Sequence, residues 1–168
     1  MTTSESVEPR LGFLSCRILR HIEAHSDELA DGLWARIGKC ERLREFRQRV
    51  PQDELRQRTY EIYNHLGDWL EFKSEEDIER RFVTIGERRA AQGVLLSQLL
   101  LAIVAIKEHV WEHVTKEVLT QHEGEMVQVL ELSRAIETFF DRGVYYAAIG
   151  FERHHATHHR TAAASNRN

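Results

Sequence analysis

The sequence predicts an all-α domain of five to six helices that ends in a long carboxyl-terminal helix. Three observations carry that expectation. Apolar residues recur at spacings of three and four along most of the chain, which places them on one stripe of a helix. No stretch alternates apolar and polar residues with the period of two that a half-buried strand needs. The only prolines are Pro9 and Pro51, and each stands where a helix can begin, because a first turn has no use for the missing N–H.

Taken in order, Leu11, Leu14, Ile18 and Ile22 mark a first amphipathic helix after Pro9. Ser26 is placed to cap a second, with Asp27 and Glu28 at its positive end, Leu29, Leu33 and Ile37 as its stripe, and Gly38 at its close. From Pro51 a third helix presents Leu55, Thr59, Ile62, Tyr63, Leu66, Trp69 and Leu70. Ser74 and Asp77 have the spacing of a capping box and open a fourth, carrying Ile78, Phe82 and Ile85. Gly93 then suits the left-handed residue that ends a helix. The fifth runs from about Leu96 to Thr120, with Leu99, Ile103, Ile106, Val110 and Val114 on one stripe. It is apolar nearly all round at its start, so it should be the most buried. The sixth begins near Glu123 and passes Arg153, carrying Val127, Leu130, Ile136, Phe139, Phe140, Val144 and Ala147. At roughly 30 residues or more it exceeds the common helix length, as a helix does when it packs on a partner or joins another domain. Residues 1–9 read as a flexible amino terminus, 10–155 as one helical domain, and 156–168 as a histidine-rich, linker-like tail.

Composition excludes several function classes. Lys and Arg total 23 against 27 Asp and Glu, a net charge of -4, which speaks against a nucleic-acid-binding surface. Cys16 and Cys40 form no CxxC pair, so a cysteine zinc site or c-type haem attachment is ruled out. The amino terminus has no apolar signal stretch, and Val94–Ile106 is too short to cross a bilayer. The expectation is a cytoplasmic protein with no membrane and no nucleic-acid partner.

Four sets of residues could carry chemistry. His109, Glu112 and His113 spell the His-x-x-Glu-His pattern of inverted zinc peptidases, with both histidines on one helical face. No second motif supplies the further acidic ligand, so neither a catalytic residue nor a bound metal is expected there. The same histidines continue a stripe begun by Ala102 and Ala105, where small residues either bring helices close or leave room for a ligand such as haem. His154, His155, His158 and His159 form a dense cluster, but Glu152 with His155 gives only one of the two Glu-x-x-His motifs a di-iron site needs. His21 with His25 repeats the one-turn spacing and reads as surface or interface, while His65, between Tyr63 and Trp69, could face a pocket or be a satisfied core histidine. No phosphate loop and no nucleophile with an evident base is present.

Several segments together resemble one family. They are Leu66-Gly67-x-Trp69-Leu70, then Gly86-x-Arg88-Arg89-x-x-Gln92-Gly93 followed by Leu96-Ser97, then Trp111, and FFDRGVYYAAIGFE over 139–152. Over about residues 10 to 155 the chain resembles the RsbRD-type amino-terminal domain of stressosome co-antagonist proteins and some bacterial sensor kinases. It departs from the family where Val94-Leu95-Leu96-Ser97 lacks a proline, which implies a looser or earlier start of the fifth helix. The resemblance implies a globin-like or bundle-like signal-input domain, normally joined to an output module. This chain is then a stand-alone version or a piece of a longer protein.

The reading that follows is a non-enzymatic input or interaction domain, working by helix repacking and dimerisation. The expected ligand-facing residues are His65, Trp69, Arg88, Arg89, Gln92, His109 and His113. The arginine pair has a plainer role open to it, opposing the carbonyls at a helix end. The expected homodimer interface is Phe139, Phe140, Val144, Ala147 and Phe151 on the last helix. The alternative is a haem- or metal-binding sensor using His65, His109 or His113.

Overall fold

A computed structural model describes residues 11–121 and 126–165. Pro9, the expected flexible residues 1–9, and Glu123, the expected start of the last helix, lie outside them. The described residues form eight α-helices and no strand: α1 (Phe13–Ala24), α2 (Ser26–Lys39), α3 (Arg44–Arg49), α4 (Gln52–Asn64), α5 (Leu66–Glu71), α6 (Glu75–Ala91), α7 (Leu96–Gln121) and α8 (Met126–Ser165). The long helices fall where the periodicity puts them. Of the two short ones, α3 is an addition and α5 is the separated end of the expected third helix.

α3 follows a 3-10 turn at Glu41–Leu43, and the pair buries Leu43, Phe46 and Val50 among heavily charged neighbours. α4 and α5 replace the single helix expected from Pro51. The break falls at His65, whose φ of -126° leaves the helical region, and the Glu23 carboxylate of α1 accepts the Gly67 N–H at 2.9 Å. A side chain from another helix thus supplies the cap that lets α5 start afresh.

Ser26 does not cap α2. It is the first helical residue, is buried, and its hydroxyl donates to Asn64 Oδ1 at 3.4 Å across the α2–α4 contact. The capping box opening α6 is present, with Asp77 N–H donating to Ser74 Oγ at 3.2 Å and Ser74 N–H to Asp77 Oδ2 at 3.1 Å. At the far end of α6, Gly93 has φ +73°, and the Gly93 and Val94 amides donate to Ala90 O (2.9 Å) and Arg89 O (3.1 Å). This is a Schellman closure, and Val94 is buried beneath it. α7 begins only after it.

α7 packs chiefly against α8 and also touches α2, α1, α6 and the 3-10 turn. Leu99, Ile103, Ile106, Val110 and Val114 are all buried, so the expected central stripe faces the core. α6 lies along α8 in the most extensive helix contact of the described chain. Glycines permit it. A Cβ on Gly86 would sit 2.1 Å from the Ala147 carbonyl oxygen, and one on Gly150 would sit 2.1 Å from that of Val83. No side chain fits at either crossing point. α8 remains helical to Ser165, so most of the segment read as a linker-like tail continues the helix.

Candidate functional site

One stripe of α6, formed by Asp77, Arg81, Ile85 and Arg88 at helical spacing, faces α4 and the start of α7 across a cavity of about 370 Å³. Leu55 and Ile62 of α4, Phe82 of α6, and Leu99, Ile103 and Ile106 of α7 make its wall apolar. Trp69 of α5 closes one side. Cations predominate in the lining: Arg58, Lys73, Arg80, Arg81, Arg88 and Arg89 stand against the carboxylates of Glu54 and Asp77, with Glu61 beside Arg58 and Arg81. On a chain of net charge -4 this is a local reversal of sign.

At one end the charges are mutually satisfied. Arg89, 4% exposed, donates to Glu54 Oε1 and, at 2.7 Å, to Gln92 Oε1. Gln92 Nε2 donates to Glu54 Oε2 at 3.0 Å, and Arg88 Nε lies 2.7 Å from Glu54 Oε1. Burial pushes the Glu54 carboxyl up, but hydrogen bonds from Arg89, Arg88 and Gln92 outweigh it and leave the group below the usual carboxylate range. Burial likewise lowers Arg89, with Glu54 opposing. This network ties the end of α6 to the first turn of α4.

Arg81 is different. Its guanidinium carbon lies 5.0 Å from the centre of the Trp69 ring, its Nη2 is 3.5 Å from Glu61 Oε2, and its buried Nε has no hydrogen-bond partner among the described residues. Burial lowers its affinity for the proton, the neighbouring Glu61 charge raises it, and the first effect wins. Lys73 stands over the same indole, its Nζ 5.8 Å from the ring centre.

Of the residues expected to face a ligand, the structure thus brings Trp69, Arg88 and Arg89 to one cavity, with Gln92 bracing Arg89. It does not bring the histidines there. His109 is buried against α2 and α4, where its Nδ1 is 2.9 Å from Tyr63 Oη and its Nε2 would lie 3.4 Å from a Cβ on Gly32. Burial first, then the charges of His113 and Arg36, push its pKa down to about 4. Burial also lowers His113, whose ring packs edge-on against His109 at 5.1 Å. Glu112, the third member of the peptidase-like motif, pairs with Arg36 Nη1 at 2.5 Å on the surface. His65 is exposed, 3.7 Å from Asp68 Oδ2. Neither described cavity includes a histidine, so nothing supports the haem alternative. Among the described residues no three His, Cys, Asp or Glu side chains gather as a metal would require.

The residues expected at a dimer interface also lie elsewhere. Phe139, Phe140, Ala147 and Phe151 are buried within the chain, and Val144 is half-buried. Phe139 packs edge-on against Phe82 at 5.6 Å, and Ala147 lies under Gly86. These aromatic and small residues are the α6–α8 joint. The spacing of Gly143, Ala147 and Gly150 carries the signal: small residues in a row on one helical face. Arg81 escapes sequence reasoning because it reads as one charge in an ordinary charged run.

Fold and site define a class: an all-helical domain with a cation-lined apolar hollow beside a tightly locked helix pair. Residues 23–166 match the family model of the RsbT co-antagonist protein RsbRD N-terminal domain, and the chain belongs to that family of stress-response signalling input domains. No curated protein and no solved structure matches it. No helix of the described residues is long and apolar enough to cross a membrane.

Proposed function

We propose that this domain is a non-enzymatic cytoplasmic relay in which a change in the packing of α6 is delivered to a signalling partner by α8. The observation that carries the reading is the double crossing of Gly86 under Ala147 and Gly150 under Val83, which leaves no slack between the two helices. The other face of α6 walls the cavity. Anything that binds two positions of α6 with different affinity therefore biases two positions of α8. A second observation favours a homodimer, though not through the aromatic joint. Met126, Val127 and Leu130 are 66%, 69% and 61% exposed on one face of α8, and pairing with a second copy would cover them.

The relay is tested by exchange. Fused to the output module of a stress co-antagonist as a replacement for that protein's own amino-terminal domain, this chain should restore regulated output in a reporter strain. Gly150→Ala, the smallest side chain that pushes the two helices apart, should shift output in a chimera whose circular dichroism and abundance show it folded. Output that is identical with the domain, without it and with the variant would refute the relay.

A further inference from the structure

We infer that the cavity between α4, α6 and α7 binds an amphipathic organic monoanion, an alkyl or aryl carboxylate, whose headgroup is taken by Arg81 and whose apolar body fills the hollow. The inference rests on the relay reading for its consequence but not for its chemistry. Three features fix that chemistry. The wall is made of Leu, Ile and Phe side chains with Ala102 at its floor, so the bulk of the ligand is hydrocarbon. Six cations line the cavity against Glu54 and Asp77, with Glu61 paired to Arg58 and Arg81 beside it, so cations still outnumber carboxylates and the polar end is an anion.

Arg81 is the third feature. Its Nε has no hydrogen-bond partner and its Nη2 has only the long 3.5 Å contact with Glu61 among the described residues. A buried guanidinium with unmade hydrogen bonds is costly. Both atoms are shielded in this conformation, with Glu61 at the edge of Nη2; a turn of the Arg81 side chain into the cavity that it lines would offer Nε and Nη2 together to a ligand carboxylate, the two-bond geometry for which the guanidinium fork is built. Trp69 beneath Arg81 and Lys73 forms the threshold between rim and hollow. The cavity, about 370 Å³, falls at the small end of the roughly 300–1,000 Å³ range of ligand pockets, and a medium-chain acid such as decanoate is a probe of that class.

Position links this site to α8. Arg81 is followed on α6 by Phe82, which meets Gly143, and Val83, which meets Gly150. A ligand that draws Arg81 toward itself moves the two residues in contact with α8.

The test is calorimetric titration of the full chain with sodium decanoate, alongside decanol and inorganic phosphate, with hydrogen exchange read along α6 and α8. One decanoate should bind per chain, at least tenfold tighter than decanol. Arg81→Gln should weaken decanoate at least tenfold and abolish its advantage over decanol. Ala102→Leu, which fills the floor without touching charge, should weaken both ligands. Ile106→Phe, also at the wall, takes its place if circular dichroism shows the Ala102 variant misfolded. Absence of binding at millimolar decanoate would overturn the site, as would affinity unchanged by Arg81→Gln or phosphate competing on equal terms. Binding that depends on Arg81 but leaves exchange along α8 untouched would uphold the ligand class and overturn the relay instead.

Discussion

His109 shows how a residue that looks chemical can be structural. Its ring is buried, hydrogen-bonded to Tyr63, and held neutral, with its pKa near 4 against an unperturbed 6.5. The unfolded chain takes up that proton as the pH falls through 6.5, while the folded chain does not until about 4. The native state then binds fewer protons, and stability present above pH 6.5 is lost progressively toward pH 4. Urea midpoints measured from about pH 8 down to the folded-state value should show this decline. His109→Gln, which keeps a partner for Tyr63 but cannot titrate, should flatten the part of the slope between 6.5 and 4. An unchanged slope would place the titrating group elsewhere. The buried Tyr63 hydroxyl, its pKa pushed up by burial, stays protonated throughout and can donate to His109.

At the scale of helices, legibility follows the range of the interactions. Ser74, Asp77 and Gly93 act on backbone groups a few residues away, and both ends of α6 can be read from them. The division of α4 from α5 cannot, because the group that caps α5 is Glu23, 44 residues earlier. The same limit hides the cavity. Trp69, Arg88 and Arg89 stand out by motif, whereas Arg81 acquires meaning only from Trp69 beneath it and the wall around it. The aromatic end of α8 is visible as an apolar arc, but sequence alone does not say whether it faces a partner or α6. The glycine joint makes a sharp prediction here. Alanine for glycine inside a helix ordinarily stabilises by about 1 kcal/mol. Gly38→Ala, in the last turn of α2 with the end of Arg47 the nearest atom to the new Cβ at 3.9 Å, should stabilise in the same direction but by less. Gly150→Ala must drive the Val83 carbonyl away and should instead destabilise by about 1–3 kcal/mol. Thermal melts of the two variants decide it: equal shifts in the same direction would mean the crossing is not tight.

For the whole molecule, the surface that matters most is the start of α8. Phe139, Phe140, Ala147 and Phe151 are buried within the chain, whereas Met126, Val127 and Leu130 near the amino end of the same helix are exposed, and the proposed pairing rests on these three. Light scattering at micromolar concentration should give the mass of two chains, falling to one in a Val127→Glu, Leu130→Glu variant whose circular dichroism is unaltered. A single-chain mass that does not change on dilution would dispose of the dimer. The same stretch of α8 closes the molecule on itself. Gln128 Oε1 accepts the Leu14 N–H at 2.9 Å, and the Gln128 carbonyl accepts from the Ser15 hydroxyl at 3.2 Å, across more than a hundred residues of chain. A ribosome must add more than a hundred residues after α1 before the group that completes its first turn exists. α1 is made well ahead of the residue that finishes it.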